Sequence, residues 1–495
     1  MPIIKPLLVA LLLINSARSQ QNNVSIIIIG AGSSGIAAAT KLIKNNFTNI
    51  QILEAEDRIG GRIHSVRFGD AFVDLGAEFC HGESGNVVFS MVKDLKLLMT
   101  PKPEYELYFS ETGDDIGIDV SESLFDLAHS IQHRRELNGS ECDICGDIVS
   151  EGECLDRNFL EMLNCSRDNL RPILELSYDW LRSYKSCTES CFNLNDVSLI
   201  SNYRECKGDQ MLQWCGHGFK TILEVMMQTH PNQKNVEPLL MDIKLNKTVS
   251  KIILGEDGSV SVRTEDGEEF WGEHVIFTPS LGVLKDKHHD LFSPKLSSDK
   301  LQAIDRIGYG AIIKVALYFD YMWWLIHGSR IWGCIWSSQH NEELKLENLL
   351  WVKQFTAFTA APKNLKVLIA WFAGESVKEI EYLTDHELLR GIRFILSKCY
   401  FRYMGIDMPK RILRSKWLRN PHFKGTYSYE SMKGLGYPEV RSELGSPVVS
   451  EEGVPRLLFA GEATHPTMFA TVHGAIESGY REAERLIQLY VSEDN

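Results

Sequence analysis

Four consecutive isoleucines run into a glycine-rich turn and then a small-residue helix, and this unit restricts how the whole chain can fold. Ile26-Ile27-Ile28-Ile29 is β-branched and apolar on both faces, which suits a central strand of a parallel sheet. It leads into Gly30-Ala31-Gly32-Ser33-Ser34-Gly35, a G-x-G-x-x-G, and then into Ile36-Ala37-Ala38-Ala39-Thr40-Lys41-Leu42-Ile43, a helix that can pack closely on a sheet. Gly30 permits the tight turn, Gly32 lets the backbone approach a pyrophosphate, and Gly35 clears the crossing of helix and strand. The helix N-terminus then faces the phosphates. Ile50-Gln51-Ile52-Leu53 reads as the second strand, with Glu54 at its end, where a carboxylate can accept hydrogen bonds from ribose hydroxyls. A glycine-rich loop without a ligand would not need strand, helix, second strand and terminal acid in this order.

Beyond Glu54 the sequence continues Ala55-Glu56-Asp57-Arg58-Ile59-Gly60-Gly61-Arg62. Arg58, Gly61 and Arg62 place side-chain and backbone donors where a second set of phosphate oxygens can be reached. A nicotinamide-dependent enzyme has no need of these. In this E-A-x-x-R-x-G-G-R block the chain resembles the FAD-dependent amine oxidase family. The resemblance runs on through Gly76-Ala77-Glu78-Phe79-Cys80-His81-Gly82, Ser280 to Lys285, Gly310 to Phe319, Trp417, Gly425 to Tyr429, Phe459 to His465 and Thr471 to Ala483.

That resemblance implies an α/β fold: a Rossmann-like FAD-binding domain (24–90, 236–300 and 440–495) interleaved with an α+β substrate domain (91–235 and 301–439). The cofactor residues it implies are Gly30, Gly32, Gly35, Glu54, Arg58, Gly61, Arg62, Gly76, Ala77, Val249, Glu462, Thr471 and Val472. Lys314 resembles the lysine that holds a water against the flavin, although a lysine inside Ile312 to Leu317 would by default be a solvent-facing strand position. Tyr427 matches an aromatic wall beside the flavin, with Thr471 opposite. Thr426 stands where monoamine oxidases carry a flavin-linked cysteine, so noncovalent FAD is expected.

The implied chemistry is polyamine oxidation (spermine, spermidine or N-acetylated forms) by hydride transfer to FAD, giving an aldehyde, a shorter amine and hydrogen peroxide from oxygen. Animal polyamine and spermine oxidases resemble this chain in the histidine and glycine at His81-Gly82, where imidazole can meet a substrate amine. L-amino-acid oxidases place an arginine just after Gly-Ala, and none is present. A secreted L-amino-acid oxidase and a non-catalytic flavin-binding protein remain alternatives. The histone-demethylase branch shares Ala470 to Ala475 but has a long coiled-coil insertion that is missing. Glu205 and Asp209 lie in the region where a distal amine would be gripped.

The chain of 495 residues, 44% hydrophobic, can bury a large core in two domains. Its 66 acidic against 52 basic residues argue against nucleic acid as a partner. Residues 1–19, with an apolar core from Leu7 to Ile14 and Ala17-Arg18-Ser19, read as a secretory signal. Sequons at Asn23, Asn46, Asn138, Asn164 and Asn246 suit that route, and no later stretch reaches membrane-spanning length. Cys142, Cys145, Cys154, Cys165, Cys187, Cys191, Cys206 and Cys215 crowd one segment, which reads as a disulfide-tied insertion at about 138–215. A zinc site from Cys142, Cys145, Cys187 and Cys191 is the rival; no other metal ligands stand out.

Overall fold

The computed structural model describes residues 24–100, 105–136, 145, 147–256, 258–324, 331–400 and 408–491. The signal-like residues 1–19, Asn23, Asn138 and Cys142 lie outside them. Ile26–Ile29 forms the middle of a six-stranded sheet, between Ile50–Leu53 and His274–Phe277, with Ile26 opposite both Ile50 and His274. Asp242–Lys244 extends one side; Pro455–Phe459 and the antiparallel edge pair Val448–Val449 extend the other. All four isoleucines are at most 4% exposed. Each buried side chain of this kind contributes roughly 1.5–3 kcal/mol, so a run apolar on both faces is stable only with layers on both sides.

One of those layers pairs the fingerprint helix Ser33–Lys44 with the C-terminal helix Val472–Val491. Glycines set the spacing. A Cβ on Gly479 would lie 2.2 Å from the Ser34 carbonyl, and one on Gly35 would lie 2.0 Å from the Gly30 carbonyl. On the opposite face of the sheet, against Ile27 and Ile29, Val249–Leu254 and Val260–Thr264 form a hairpin whose turn includes Gly258 at φ +79°.

A second sheet of seven strands is built from Arg411–Arg414, Ile313–Tyr318, Val367–Phe372, Phe355–Ala360, Ile331–Ile335, Tyr105–Phe109 and Asp114–Asp115, in that order. Ile118–Glu136, Glu151–Cys165 and Arg171–Glu189 are helices gathered in their own core beside it. The strands of the six-stranded sheet come from three separated stretches of chain and those of the seven-stranded sheet from the two between.

Two features differ from the sequence reading. Residues from Leu212 to Met226, assigned there to the substrate domain, pack in the core that holds the fingerprint helix. The cause is backbone pairing: Cys80 N–H donates to the Leu212 carbonyl, and Met99 and Gln213 exchange a pair of bonds, which returns this stretch to the cofactor side. Among the described cysteines, only the Cys145–Cys154 disulfide lies within the crowded segment; the other bond, Cys334–Cys399, joins two cysteines outside it. Their Cα atoms are 5.9 Å apart because the Ile331–Ile335 strand faces the end of the Asp385–Cys399 helix. Cys165, Cys187, Cys191, Cys206 and Cys215 are free thiols, and the bond to Cys154 removes Cys145 from the rival zinc set.

Candidate active site

One cavity of about 820 Å³ runs from the glycine-rich turn to the seven-stranded sheet and is walled by both. At the turn, Gly30 has φ +99°, which favours glycine, and a Cβ on Gly32 would meet nothing closer than 3.9 Å. The second glycine pair explains itself here. Gly60 and Gly32 form a parallel β-bridge, with Gly60 N–H donating to the Ala31 carbonyl at 2.8 Å, so the Gly60-Gly61 turn lies directly on the first glycine loop. Glu54 joins them. Its Oε2 accepts from Ala31 N–H at 2.7 Å and its Oε1 from Glu56 N–H at 2.9 Å. Burial raises its pKa and these two bonds oppose the rise. A carboxylate has about four acceptor positions, so capacity for hydroxyl donors is left.

Arg58 does not line this cavity. Its guanidinium donates to the carbonyls of Gly61 at 2.8 Å and Ile63 at 3.1 Å and pairs with Glu56 at 2.6 Å. It therefore staples its own loop, and the sequence reading that aimed it at phosphates is corrected. Arg62 does line the wall: Nη1 pairs with Glu462 Oε1 at 2.8 Å and donates to the Thr426 carbonyl at 2.7 Å. The other Glu462 oxygen accepts from Ser428 Oγ at 2.7 Å and from Ala470 N–H at 2.9 Å. Burial pushes the Glu462 acid up, but the Arg62 charge and these bonds hold it below the usual carboxylate range. Arg441, 2% exposed, backs this group by donating to Ser428 Oγ at 2.9 Å and to the Ala463 carbonyl at 3.1 Å.

Gly76, Ala77, Val249, Thr471 and Val472 also line the cavity. A Cβ on Gly76 would sit 1.8 Å from the Arg62 carbonyl, so no other residue fits there. The Thr471 hydroxyl donates to the Met468 carbonyl at 2.7 Å and accepts from Gly474 N–H at 3.0 Å, which makes it the start of the C-terminal helix. Thr426, at the linking-cysteine position, shares its hydroxyl with Ser190 Oγ.

At the far end, Lys314 comes from Ile313–Tyr318 and is 3% exposed, so the solvent-facing alternative does not hold. Its Nζ donates to Glu78 Oε2 at 2.7 Å, the Gly76 carbonyl at 2.9 Å and the Asp74 carbonyl at 3.2 Å, beneath the Trp371 ring at 4.1 Å. An ammonium has three N–H groups, so all are engaged by the protein. Glu78, also buried, leaves Oε1 with no partner, and an unsatisfied buried acceptor of this kind costs roughly 1–3 kcal/mol. Asp74 lies below; burial pushes its acid up to about 7, opposed by the Ser65 hydrogen bond, with Glu78 adding to the rise.

His81 stands at the wall with Nδ1 2.8 Å from the Gln210 carbonyl. A carbonyl only accepts, so Nδ1 carries the proton and Nε2 is left as an acceptor. Burial lowers the His81 pKa, which keeps the ring neutral at pH 7. Tyr427 donates its hydroxyl to the Cys187 carbonyl at 2.9 Å and contributes its ring to the wall. Glu205 lines the cavity; Asp209 does not, and its side chain accepts from Met211 N–H instead. The structure thus brings the candidates together at one cavity except Arg58, Asp209 and Gly35, the last of which packs against the Gly30 carbonyl and Ile28 behind the wall, and it adds Glu78, Glu189, Ser428 and Arg441.

A model of the family described as flavin containing amine oxidoreductase matches residues 33–487. The chain belongs to this family. The peroxisomal N(1)-acetyl-spermine/spermidine oxidase of Homo sapiens is 29% identical over 94% of this chain and 95% of its own length. Probable polyamine oxidase 5 of Arabidopsis thaliana is 27% identical over 94% of this chain and 98% of its own. Lysine-specific histone demethylase 1 homolog 2 of Oryza sativa subsp. japonica is 27% identical, but only 57% of its length is covered. The chain is an FAD-dependent amine oxidase acting on a small-molecule amine. The residues present fit that cofactor: a bare Gly32 at the cavity wall, a helix N-terminus behind it, and an acid with spare acceptor capacity beside it.

Proposed function

We propose that this amine oxidase acts on polyamines (spermine, spermidine or their N-acetylated forms), cleaving them to an aldehyde and a shorter amine. The observation that carries this reading is Glu78. It stands just after Gly76-Ala77, where an L-amino-acid oxidase has a carboxylate-binding arginine, and it neutralises Lys314. Arg62, the arginine on the cavity wall among the described residues, is held at the cofactor end, its Nη1 on Glu462 and the Thr426 carbonyl. The wall beyond Lys314 then carries Glu78, Glu189, Glu205 and a neutral His81, an environment that favours cations over carboxylates.

In this reading Gly32, Gly61, Glu54, Val249, Arg62, Glu462 and Val472 hold FAD. When bound, FAD supplies the acceptor for the hydride that leaves the carbon beside the substrate nitrogen, and oxygen returns it to the oxidised form with release of hydrogen peroxide. His81 accepts an N–H of the substrate through Nε2, Tyr427 flanks the reacting carbon, and the walls exclude water. Thr426 in place of a linking cysteine supports noncovalent attachment, so acid denaturation should leave the flavin in the supernatant. Anaerobic titration with spermine, spermidine, their acetylated forms, leucine and phenylalanine tests the substrate class. Flavin bleaching by the polyamines alone is expected; bleaching by the amino acids alone would transfer the chain to the L-amino-acid oxidases.

A secretory location is part of the same proposal. It is supported by the signal-like residues 1–19, by two disulfides, and by the exposure of Asn46, Asn164 and Asn246. Expression in a secreting cell should yield a glycosidase-sensitive protein in the medium; retention of an unglycosylated chain inside the cell would refute it.

A further inference from the structure

We propose that Glu78, and not Lys314, is the member of this ion pair that meets the substrate: Oε1 accepts an N–H of the reacting amine while Oε2 holds the lysine. The proposal rests on the amine-oxidising reading and adds an atom to it.

Lys314 has nothing left to give. Its three donors end on Glu78, Gly76 and Asp74, and the Trp371 ring covers it. Glu78 is 5% exposed, lines the cavity, and keeps one oxygen without any partner. A buried acceptor in a wall is answered by a donor that enters the cavity. Charge argues the same way. A lone ammonium at this depth would repel a cationic amine, whereas the pair is neutral overall and offers its negative atom. The other acid of the cluster is turned elsewhere, since Asp74 accepts from Ser65 Oγ and from Phe219 N–H at 3.0 Å. Lys314 thus serves as a positioning residue, holding Glu78 in one rotamer by Oε2 and leaving Oε1 buried and unbonded in the wall.

The test uses two unbranched probes of equal length, 1,8-diaminooctane and octane-1,8-diol, titrated calorimetrically into the FAD-loaded protein without oxygen. Glu78→Gln is expected to weaken diamine binding tenfold or more and leave the diol unchanged. Glu78→Asp should fall between Glu78→Gln and the parent. Lys314→Met should bind the diamine at least as tightly as the parent, because it frees the second oxygen. Equal diamine affinity in the parent and Glu78→Gln overturns the proposal, as does a parent that binds no diamine. If the amine N–H is not the partner and a cofactor N–H is, Glu78→Gln will change FAD content and spare diamine affinity, which also overturns it. Glu78→Gln strands the buried lysine; should it fail to fold, Glu78→Gln with Lys314→Met carries no stranded charge and must show the same tenfold loss. Failure of the substrate reading looks different. There, polyamines would not bleach the parent flavin while diamine binding still depended on Glu78.

Discussion

Two ion pairs, each with a buried carboxylate, face the same cavity and are completed differently. In Arg62–Glu462, at the cofactor end, both carboxylate oxygens are bonded, one to Arg62 and one to Ser428 and Ala470 N–H. In Lys314–Glu78, at the substrate end, the cation is saturated and one carboxylate oxygen is not. A closed pair can only position what surrounds it. An open pair keeps a place for something that comes and goes, as a substrate must and a resident cofactor need not.

The strongest way to break this contrast is to open the closed pair. Arg62→Met leaves Glu462 buried without its cation and should cost about 3–5 kcal/mol of stability. Thermal unfolding together with flavin absorbance checks it, and a variant with parental stability and FAD content would show that the pair positions nothing. Next in size is the acid beneath the open pair. The unfolded Asp74 carboxyl ionises near its ordinary 3.8 and the folded one near 7, so its contribution to stability is complete below pH 3.8 and is lost as pH rises to 7. Asp74→Asn removes that loss. Between pH 5 and pH 8 the variant should gain on the parent by on the order of 2–3 kcal/mol in urea unfolding, and parallel pH profiles would contradict the assignment. The smallest effect belongs to His81. His81→Ala should lower kcat/KM for polyamines about tenfold, roughly 1.4 kcal/mol, with FAD content intact. Because burial holds the ring below the ordinary histidine range, its protonation should shape an acid limb in the parent that the variant lacks; identical limbs would remove it from substrate contact.

The two ends of the cavity also differed in legibility. At the cofactor end, function is carried by backbone, and glycines announce backbone: at Gly30, Gly35 and Gly60 a conformation or a close approach excludes a side chain, and Gly32 leaves the cavity wall bare. Arg58 was misplaced because a motif says which residue is present and not which way a guanidinium turns, and here it turned into its own loop. At the substrate end, partners are remote in sequence. Glu78 lies 236 residues from Lys314, and nothing in the block Gly76 to Gly82 marks it as more than the neighbour of His81. Thr471 was visible as a wall residue, but its work as a helix cap depends on Met468 and Gly474 folding around it. The second disulfide was illegible for the same reason: crowding in sequence is no guide to a strand and a helix end meeting in space.

The order in which the six-stranded sheet is assembled has a consequence for synthesis. Its central strands are made early, yet Pro455–Phe459 adds beside His274–Phe277 only after the whole seven-stranded sheet has been synthesised, and Glu462 and Val472 come after it. A nascent chain that has passed Phe277 owns the glycine loop and lacks both the acid that anchors Arg62 and the helix that seals the layer. With Glu462 and Val472 assigned to FAD as proposed, the flavin site is complete only after the chain has passed Val472. Until then the His274–Phe277 strand beside the Ile26–Ile29 run keeps one edge unpaired, and an unpaired edge of this kind is where an incomplete chain pairs wrongly.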